Sequence, residues 1–518
     1  MRPGLFKRMW QGFRRSLRAG LMAMGAGSLS ACFPVGPDFS PPPTPAANHF
    51  TPEPAVSPGD GQRFEEGKDI PAEWWRLFKS PALDALVREA LQNSPNLQSA
   101  EAAVRVAYYT AEAQKGGFFP QLLFNSNDST NLQSNNRSLS SINQVIFNQL
   151  YPSPANILYN VQSVNTQNPP TANYALLLKQ FTVSYTPDVW GQNLRAVESL
   201  VAQTEAQRWQ LEAAQLALTS NVVVAAIQEA SIRGQIEATK TIITILRESL
   251  DILNRQYSFG SIAKADVIAQ EAALAQAEQT LPPLEKELAI QRDLLTALAG
   301  RFSFEGPGEI FELSHFTLPS SVPVSLPSRL VAQRPDIRAA EANLHSASAN
   351  VGVTIASRLP NLNLSGNLGA SAFKVTELFT PGTGLYVAAA NITQPIFDGM
   401  TLLNKQKAAE AQLQQADAKY RATVINAFQN VADALRSLQA DARAVITARK
   451  AEDAAKRNLD IVRMQLKYGQ VSQIAVLYAQ RTFLLASLSR VQADATRLSD
   501  TAGLFMALGG GWWSRESQ

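Results

Sequence analysis

The sequence repeats itself, and that repeat restricts the chain to folds built from two copies of one supersecondary unit. SPNLQSAEAAVRVA at 94–107 aligns with RPDIRAAEANLHSA at 334–347, an offset of 240 that pairs Pro95 with Pro335, Glu101 with Glu341 and, further on, Pro120 with Pro360. TPDVWG at 186–191 aligns with QPIFDG at 394–399 at an offset of 208, and ADVIAQE at 265–271 with AVLYAQR at 475–481 at an offset of 210. The copies close on Leu298-Ala299-Gly300 and Leu508-Gly509-Gly510. The fall from 240 to 208 places about 32 extra residues between the two strands of the first copy.

Each copy reads as helix, strand, loop, strand, very long helix, tight turn, helix. The second copy's first strand is the clearest: Leu362, Leu364 and Leu368 alternate with Asn361, Asn363, Ser365 and Asn367, which gives one apolar and one polar face. Strands are predicted at 121–130 and 175–186 in the first copy, where Phe181, Val183 and Tyr185 share a face, and at 361–370 and 385–394 in the second. Strands of about ten residues suit a tilted bilayer crossing, although a half-buried soluble sheet alternates in the same way. Four strands do not close a barrel and lipid forbids open edges, so a membrane-crossing version requires several chains to pool their strands. The connecting segment 125–173 holds twelve asparagines in 49 residues and reads as a polar surface loop.

Residues 191–256 and 400–467 run without proline. At 1.5 Å per residue each helix is about 100 Å long, far beyond globular helices of about 11–12 residues. Turns fall at Tyr257-Ser258-Phe259-Gly260 and Tyr468-Gly469-Gln470, and antiparallel helices return through 262–300 and 472–508, the first interrupted near Pro282-Pro283. Richness in Ala and Gln suits a wall with water on both sides, in which apolar seams are needed only where helices touch. A long fibrous hairpin is the alternative.

Composition enters at the N-terminus. Residues 1–31 carry Arg2, Lys7, Arg8, Arg14, Arg15 and Arg18, no acid, and a brief apolar run ending Leu29-Ser30-Ala31, the pattern of a secretory signal. Without them the 46 basic residues fall to 40 against 43 acidic ones, so the apparent +3 becomes about −3. Leu29-Ser30-Ala31-Cys32 resembles the lipobox of bacterial lipoproteins, which implies diacylglycerol and N-acyl lipid on Cys32 and, with Phe33 following, sorting to the outer membrane. An ordinary free cysteine is the alternative. The expected organisation is a signal peptide (1–31), a lipidated, extended Pro-rich tether (32–70), a first repeat (71–300), a Pro-rich bridge (301–333), a second repeat (334–510) and a C-terminal tail (511–518).

Several functions are excluded. One cysteine precludes an intrachain disulfide or a thiolate cluster, and His49, His315 and His345 have no metal-ligand spacing. There is no phosphate loop, H-E-x-x-H or G-x-S-x-G elbow, and no basic patch of the kind that binds nucleic acid. The reading is of a non-enzyme with no metal and no cofactor besides the acyl chains.

The pieces PAEWWRLFKSPALDALVREALQNSPNLQSAEAAVR, TPDVWGQNLRAVESL, YSFGSIAKADVIAQ, LVAQRPDIRAAEANL, SRLPNLNLSG, QPIFDGMTLLNKQKAAE and LKYGQVSQIAVLYAQR cover nearly all of 70–510 in order. Together they resemble the TolC-like outer-membrane factors of tripartite export systems, nearest the lipidated branch that serves resistance–nodulation–division multidrug pumps. The resemblance implies a homotrimer with a twelve-stranded outer-membrane β-barrel, a twelve-helix periplasmic tunnel and an equatorial region of short segments. It also implies outer-membrane lipids around the barrel and two protein partners, a periplasmic adaptor and an inner-membrane transporter that supplies the energy. Gly260 and Gly469 then mark the hairpin tips where the adaptor docks. The family's acidic pattern after the second tip, L-L-D-V-L-D-A, is absent: Ala475 and Tyr478 occupy the aspartate positions, while the first copy keeps Asp266. Asp266 and Tyr478 are therefore the constriction candidates. Small-molecule efflux is the leading function. A type I protein-secretion outlet and a lipid-anchored periplasmic coiled coil are the alternatives.

Overall fold

The computed structural model describes residues 34–47, 49–53, 56–59, 61–133 and 172–514. The expected signal peptide and Cys32 lie outside the described residues, as does most of the expected loop. Strands are β1 (Arg63–Glu66), β2 (Gln121–Gln133), β3 (Ala172–Tyr185), β4 (Ser321–Val324), β5 (Asn361–Ala372) and β6 (Gly384–Thr393). Helices are α1 (Pro81–Asn93), α2 (Pro95–Lys115), α3 (Gln192–Ser258), α4 (Lys264–Gln279), α5 (Leu281–Leu298), α6 (Pro327–Gln333), α7 (Pro335–Ala356), α8 (Thr401–Lys467) and α9 (Gln473–Ala507). Pro95 and Pro335 each open a helix, and Pro120 and Pro360 each directly precede a strand. The chain divides into two compact units, one from segments ending at Phe39, Tyr109–Leu200 and Ala347–Leu413, the other from Ser40–Tyr108, Val201–Ser346 and Gln414–Gln518.

The first unit carries one antiparallel sheet in the order β2-β3-β5-β6, so β2 and β6 are its edges. Register places Phe124 opposite Phe181, Phe181 opposite Leu368 and Leu368 opposite Tyr386, one apolar row across all four strands. These four side chains are 59%, 51%, 63% and 83% exposed, so among the described residues little packs over the row. Leu122, Val183, Tyr185, Leu362, Leu364 and Ile392 share that face by the two-residue period, while Asn125, Gln180, Thr182, Asn363 and Asn367 lie on the other. Lys179, the cation on the apolar face, is neutralised by Asp128 at 2.6 Å. Gly369 permits the close β3–β5 pairing, since a Cβ there would stand 2.3 Å from the Lys179 carbonyl oxygen.

One sequence expectation needs correction here, and the starts of the two long helices differ from each other. β2 and β3 extend to Gln133 and from Ala172, into the segment read as loop from 125 to 173. Asn, Ser and Asp disfavour strands in isolation, but a thirteen-residue ladder with β3 holds them in one. The long helices also start differently. Asp188 accepts from the Asn193 and Leu194 amides at 3.0 and 2.7 Å, and Asp398 from the Leu402 amide at 2.8 Å. The second copy places two left-handed residues, Gly399 and Met400, before its helix where the first places only Gly191. That is where the offset of 208 begins to drift towards 210.

The extended segment after Pro34 is docked in the first unit. The Val35 amide donates to the Trp190 carbonyl at 3.1 Å, and buried Arg195 donates through Nε to the Val35 carbonyl at 3.2 Å and through Nη2 to Asp38 at 2.5 Å. Gly36 and Gly352 meet so closely that a Cβ on Gly36 would lie 2.4 Å from the Gly352 Cα. The tether is therefore fitted, not loose, over these residues.

In the second unit Trp74, Phe78 and Phe505 form a buried aromatic cluster, with Trp74 and Phe505 rings 5.5 Å apart. The Pro-rich bridge contributes β4, which pairs in parallel with β1 of the expected tether. The expected C-terminal tail packs as well. Trp512 donates to the Gln333 carbonyl at 2.6 Å and Ser514 to the Ile70 carbonyl at 3.0 Å. Val222, Val223, Ala226 and Ile227 of α3 are buried.

Candidate functional site at the helical hairpin ends

Both hairpin turns are built alike. The Gly260 amide donates to the Tyr257 carbonyl at 2.9 Å and the Ser261 amide to the Gln256 carbonyl at 3.0 Å; Gly469 and Gln470 repeat this with Leu466 and Gln465 at 2.9 Å each. This is the Schellman closure, which requires a left-handed residue at its centre, and Gly260 and Gly469 supply φ of 69° and 71°. Nothing lies within 4 Å of a Cβ built on either glycine, so both turns face open space. Phe259 is 86% exposed and Tyr468 69%, so the aromatics beside the glycines are displayed, not packed away.

The two constriction candidates occupy different surroundings. Asp266 sits in the first turn of α4, where a carboxylate stabilises the helix N-terminus. Tyr478 sits early in α9, is mostly exposed, and lines a cavity of about 440 Å3 together with Ile242, Leu246, Ala277, Gln480 and Leu484. No hydrogen bond joins Asp266 to Tyr478 among the described residues.

Glutamines overlooked in the sequence reading bring the hairpins together. The Gln270 Nε2 donates to the Leu246 carbonyl at 2.9 Å, the Gln473 Nε2 to the Gln270 Oε1 at 3.1 Å, and the Gln480 Nε2 to the Ser249 Oγ at 2.9 Å. All three glutamines are buried, next to an apolar cluster of Ile242, Ile243, Leu246 and Ala277 against which Phe483 and Leu484 pack. The signal was present: Gln270 and Gln480 are equivalent in the aligned heptapeptides at offset 210.

Further along the helices, Glu229 is fully buried and its Oε1 accepts from Arg233 at 2.7 Å and Arg292 at 3.2 Å, which ties α3 to α5. On the second hairpin Asp441 and Asp500 face each other. Burial, then the hydrogen bond and negative charge of Asp500, pushes the Asp441 carboxyl up to about 7 against the opposing pull of Arg497. Arg497 is itself buried and donates to Gln62 Oε1 at 3.1 Å and the Gly59 carbonyl at 2.9 Å. Among the described residues no three His, Cys, Asp or Glu side chains group to hold a metal ion.

Comparison with known proteins identifies the class to which this sheet of long strands and these hairpins, each built on a 67-residue helix, belong. Residues 86–301 and 326–510 match the outer membrane efflux protein family, so the chain belongs to that family of TolC-like outer-membrane channels. It is similar to the pyoverdine export outer membrane protein OpmQ of Pseudomonas aeruginosa, 26% identical over 446 residues, 85% of this chain and 88% of that protein. It is also 26% identical over 509 residues to the probable efflux pump outer membrane protein TtgC of Pseudomonas putida, 96% of each chain. Its fold matches the Campylobacter jejuni CmeC outer membrane channel with a TM-score of 0.80 at 20% identity, over 92% of this chain and 95% of that one. The protein is an outer-membrane efflux channel.

Proposed function

We propose that three copies assemble into the exit duct of a tripartite efflux system. Each contributes four strands to a twelve-stranded outer-membrane barrel and four helical arms to a twelve-helix periplasmic tunnel. The sheet carries this reading. Among the described residues β2 and β6 are unpaired on their outer edges, and an apolar face of Phe124, Phe181, Leu368 and Tyr386 stands exposed. Lipid tolerates neither a free edge nor a polar outer face, so pairing β6 of one copy with β2 of the next satisfies both conditions. The polar face of Asn125, Thr182 and Asn367 then lines the water-filled lumen.

Small molecules, as pyoverdine is for OpmQ by that protein's name, enter from an inner-membrane pump through an adaptor. The displayed turns at Gly260 and Gly469, with Phe259 and Tyr468 beside them, suit adaptor docking. Tyr478 rather than Asp266 suits the constriction, because Asp266 is placed to stabilise its own helix. Lipidation of Cys32 accords with a tether clamped from Val35 onward: two residues reach about 7 Å, so the acyl chains would enter lipid close to Pro34.

The deciding experiment is mass measurement and projection imaging of the detergent-purified protein, with conductance in planar bilayers. A trimeric tube that conducts is expected, and a solid monomeric or dimeric rod would refute it. Cys32→Ala is expected to abolish acyl labelling.

A further inference from the structure

We propose that Gln480 leaves the closed seam between the two hairpins metastable, so that the seam opens by taking up water. Gln270 and Gln480 occupy the same position of the internal repeat, yet their surroundings differ. Gln270 is satisfied at both ends: its Nε2 donates to Leu246 of its own hairpin and its Oε1 accepts from Gln473. Gln480 reaches across to Ser249 of the other hairpin, and its Oε1 has no partner among the described residues although the residue is 1% exposed. The Oε1 of Gln473 is likewise unpartnered.

Ser249 does not depend on this contact as a donor, since its hydroxyl already donates to the Ile245 carbonyl at 2.9 Å. A hydrogen bond that water replaces contributes little net stability, whereas a buried carbonyl oxygen without a donor opposes burial. An apolar side chain at 480 would suit the neighbouring Leu246, Leu477 and Leu484 better than glutamine does. The cavity of about 440 Å3 that Gln480 lines has room for several waters and offers them Tyr478 and Gln276 as further polar partners. Parting of the hairpins hydrates the Gln480 oxygen, so the residue biases the seam towards opening without preventing closure. As a gating element this rests on the channel reading; as a property of the seam it does not.

The test is amide hydrogen exchange of the full chain in detergent, read over residues 242–250 and 473–485, alongside conductance in bilayers. Gln480→Leu is expected to slow exchange about tenfold, equivalent to about 1.4 kcal/mol. Gln480→Glu, which buries a charge, is expected to speed it by at least as much. Ser249→Ala is expected to change it less than about threefold. Faster exchange in Gln480→Leu would make Gln480 a lock and overturn the proposal, as would unchanged exchange. Gln480→Met checks that result with a second apolar side chain, and failure of both apolar variants to fold would also overturn it. If exchange follows the expected order but no protein conducts, the seam inference stands and the channel reading falls. If Gln480→Leu conducts with a lower open fraction, both stand.

Discussion

The two helical hairpins are copies of one another in backbone and differ in almost every buried polar group. The first returns in two pieces, α4 and α5, which meet at Thr280 with Pro282 and Pro283 in the first turn of α5; the second returns as one helix of 35 residues. Glu229 with its two arginines lies on the first, and the equivalent position on the second, 210 residues on, is Gln439, which donates to the Val56 carbonyl. Asp441 and Asp500 lie on the second, where the first has Ser231 and Ile290. Residues 232–271 carry five basic and five acidic side chains; the equivalent 442–481 carry eight and three. Duplication has preserved helix lengths and turn chemistry, which depend on local residues. It has not preserved buried polar partners, which depend on what packs against each copy.

The largest expected effect tests whether that asymmetry is energetic. Glu229→Ala leaves Arg233 and Arg292 facing each other without their shared carboxylate, and a loss of about 3 kcal/mol in denaturant unfolding is expected. Gln439→Ala, at the equivalent position, is expected to cost under about 1 kcal/mol. Equal losses would mean that the two copies are energetically alike.

Next comes pH. The Asp441 carboxyl titrates near 7 in the fold and near 4 in the unfolded chain, so between these values the folded state binds more protons. Stability is therefore expected to fall as pH rises from about 4 to 7, and to stay at the lower level above that. Asp441→Asn should flatten the trend, which denaturation midpoints at pH 5 and pH 8 would reveal. Ser231→Ala on the first hairpin should leave it unchanged.

A smaller effect is expected at the break in the first hairpin. Pro282→Ala with Pro283→Ala restores two amide donors between α4 and α5, where Thr280 is already helical. Circular dichroism should show a slight gain in helix, with stability shifting by less than about 1 kcal/mol. A large destabilisation would mean that the break itself is required for packing.

Much of the architecture was legible in local sequence. Proline positions located the helix starts and the strands that follow; the two-residue alternation of Leu362–Leu368 identified the sheet's faces; Gly260 and Gly469 marked the turns. The full reach of β2 was not legible, because Asn and Ser carry no strand preference until a partner ladder supplies one. The seam glutamines were passed over because Ala- and Gln-rich helices read as solvated. Whether a glutamine faces water or a neighbouring helix is a question of packing, not of periodicity.

The sequence by itself determined the duplication, the two long hairpins, their turns and the alternating strands, since each rests on backbone preferences acting within a few residues. Only the tertiary structure decided which copy carries the buried glutamate, which carries the carboxyl pair, and which of two equivalent glutamines is left half-satisfied. Those outcomes arise from contacts between segments hundreds of residues apart, where desolvation rather than local propensity sets the energy.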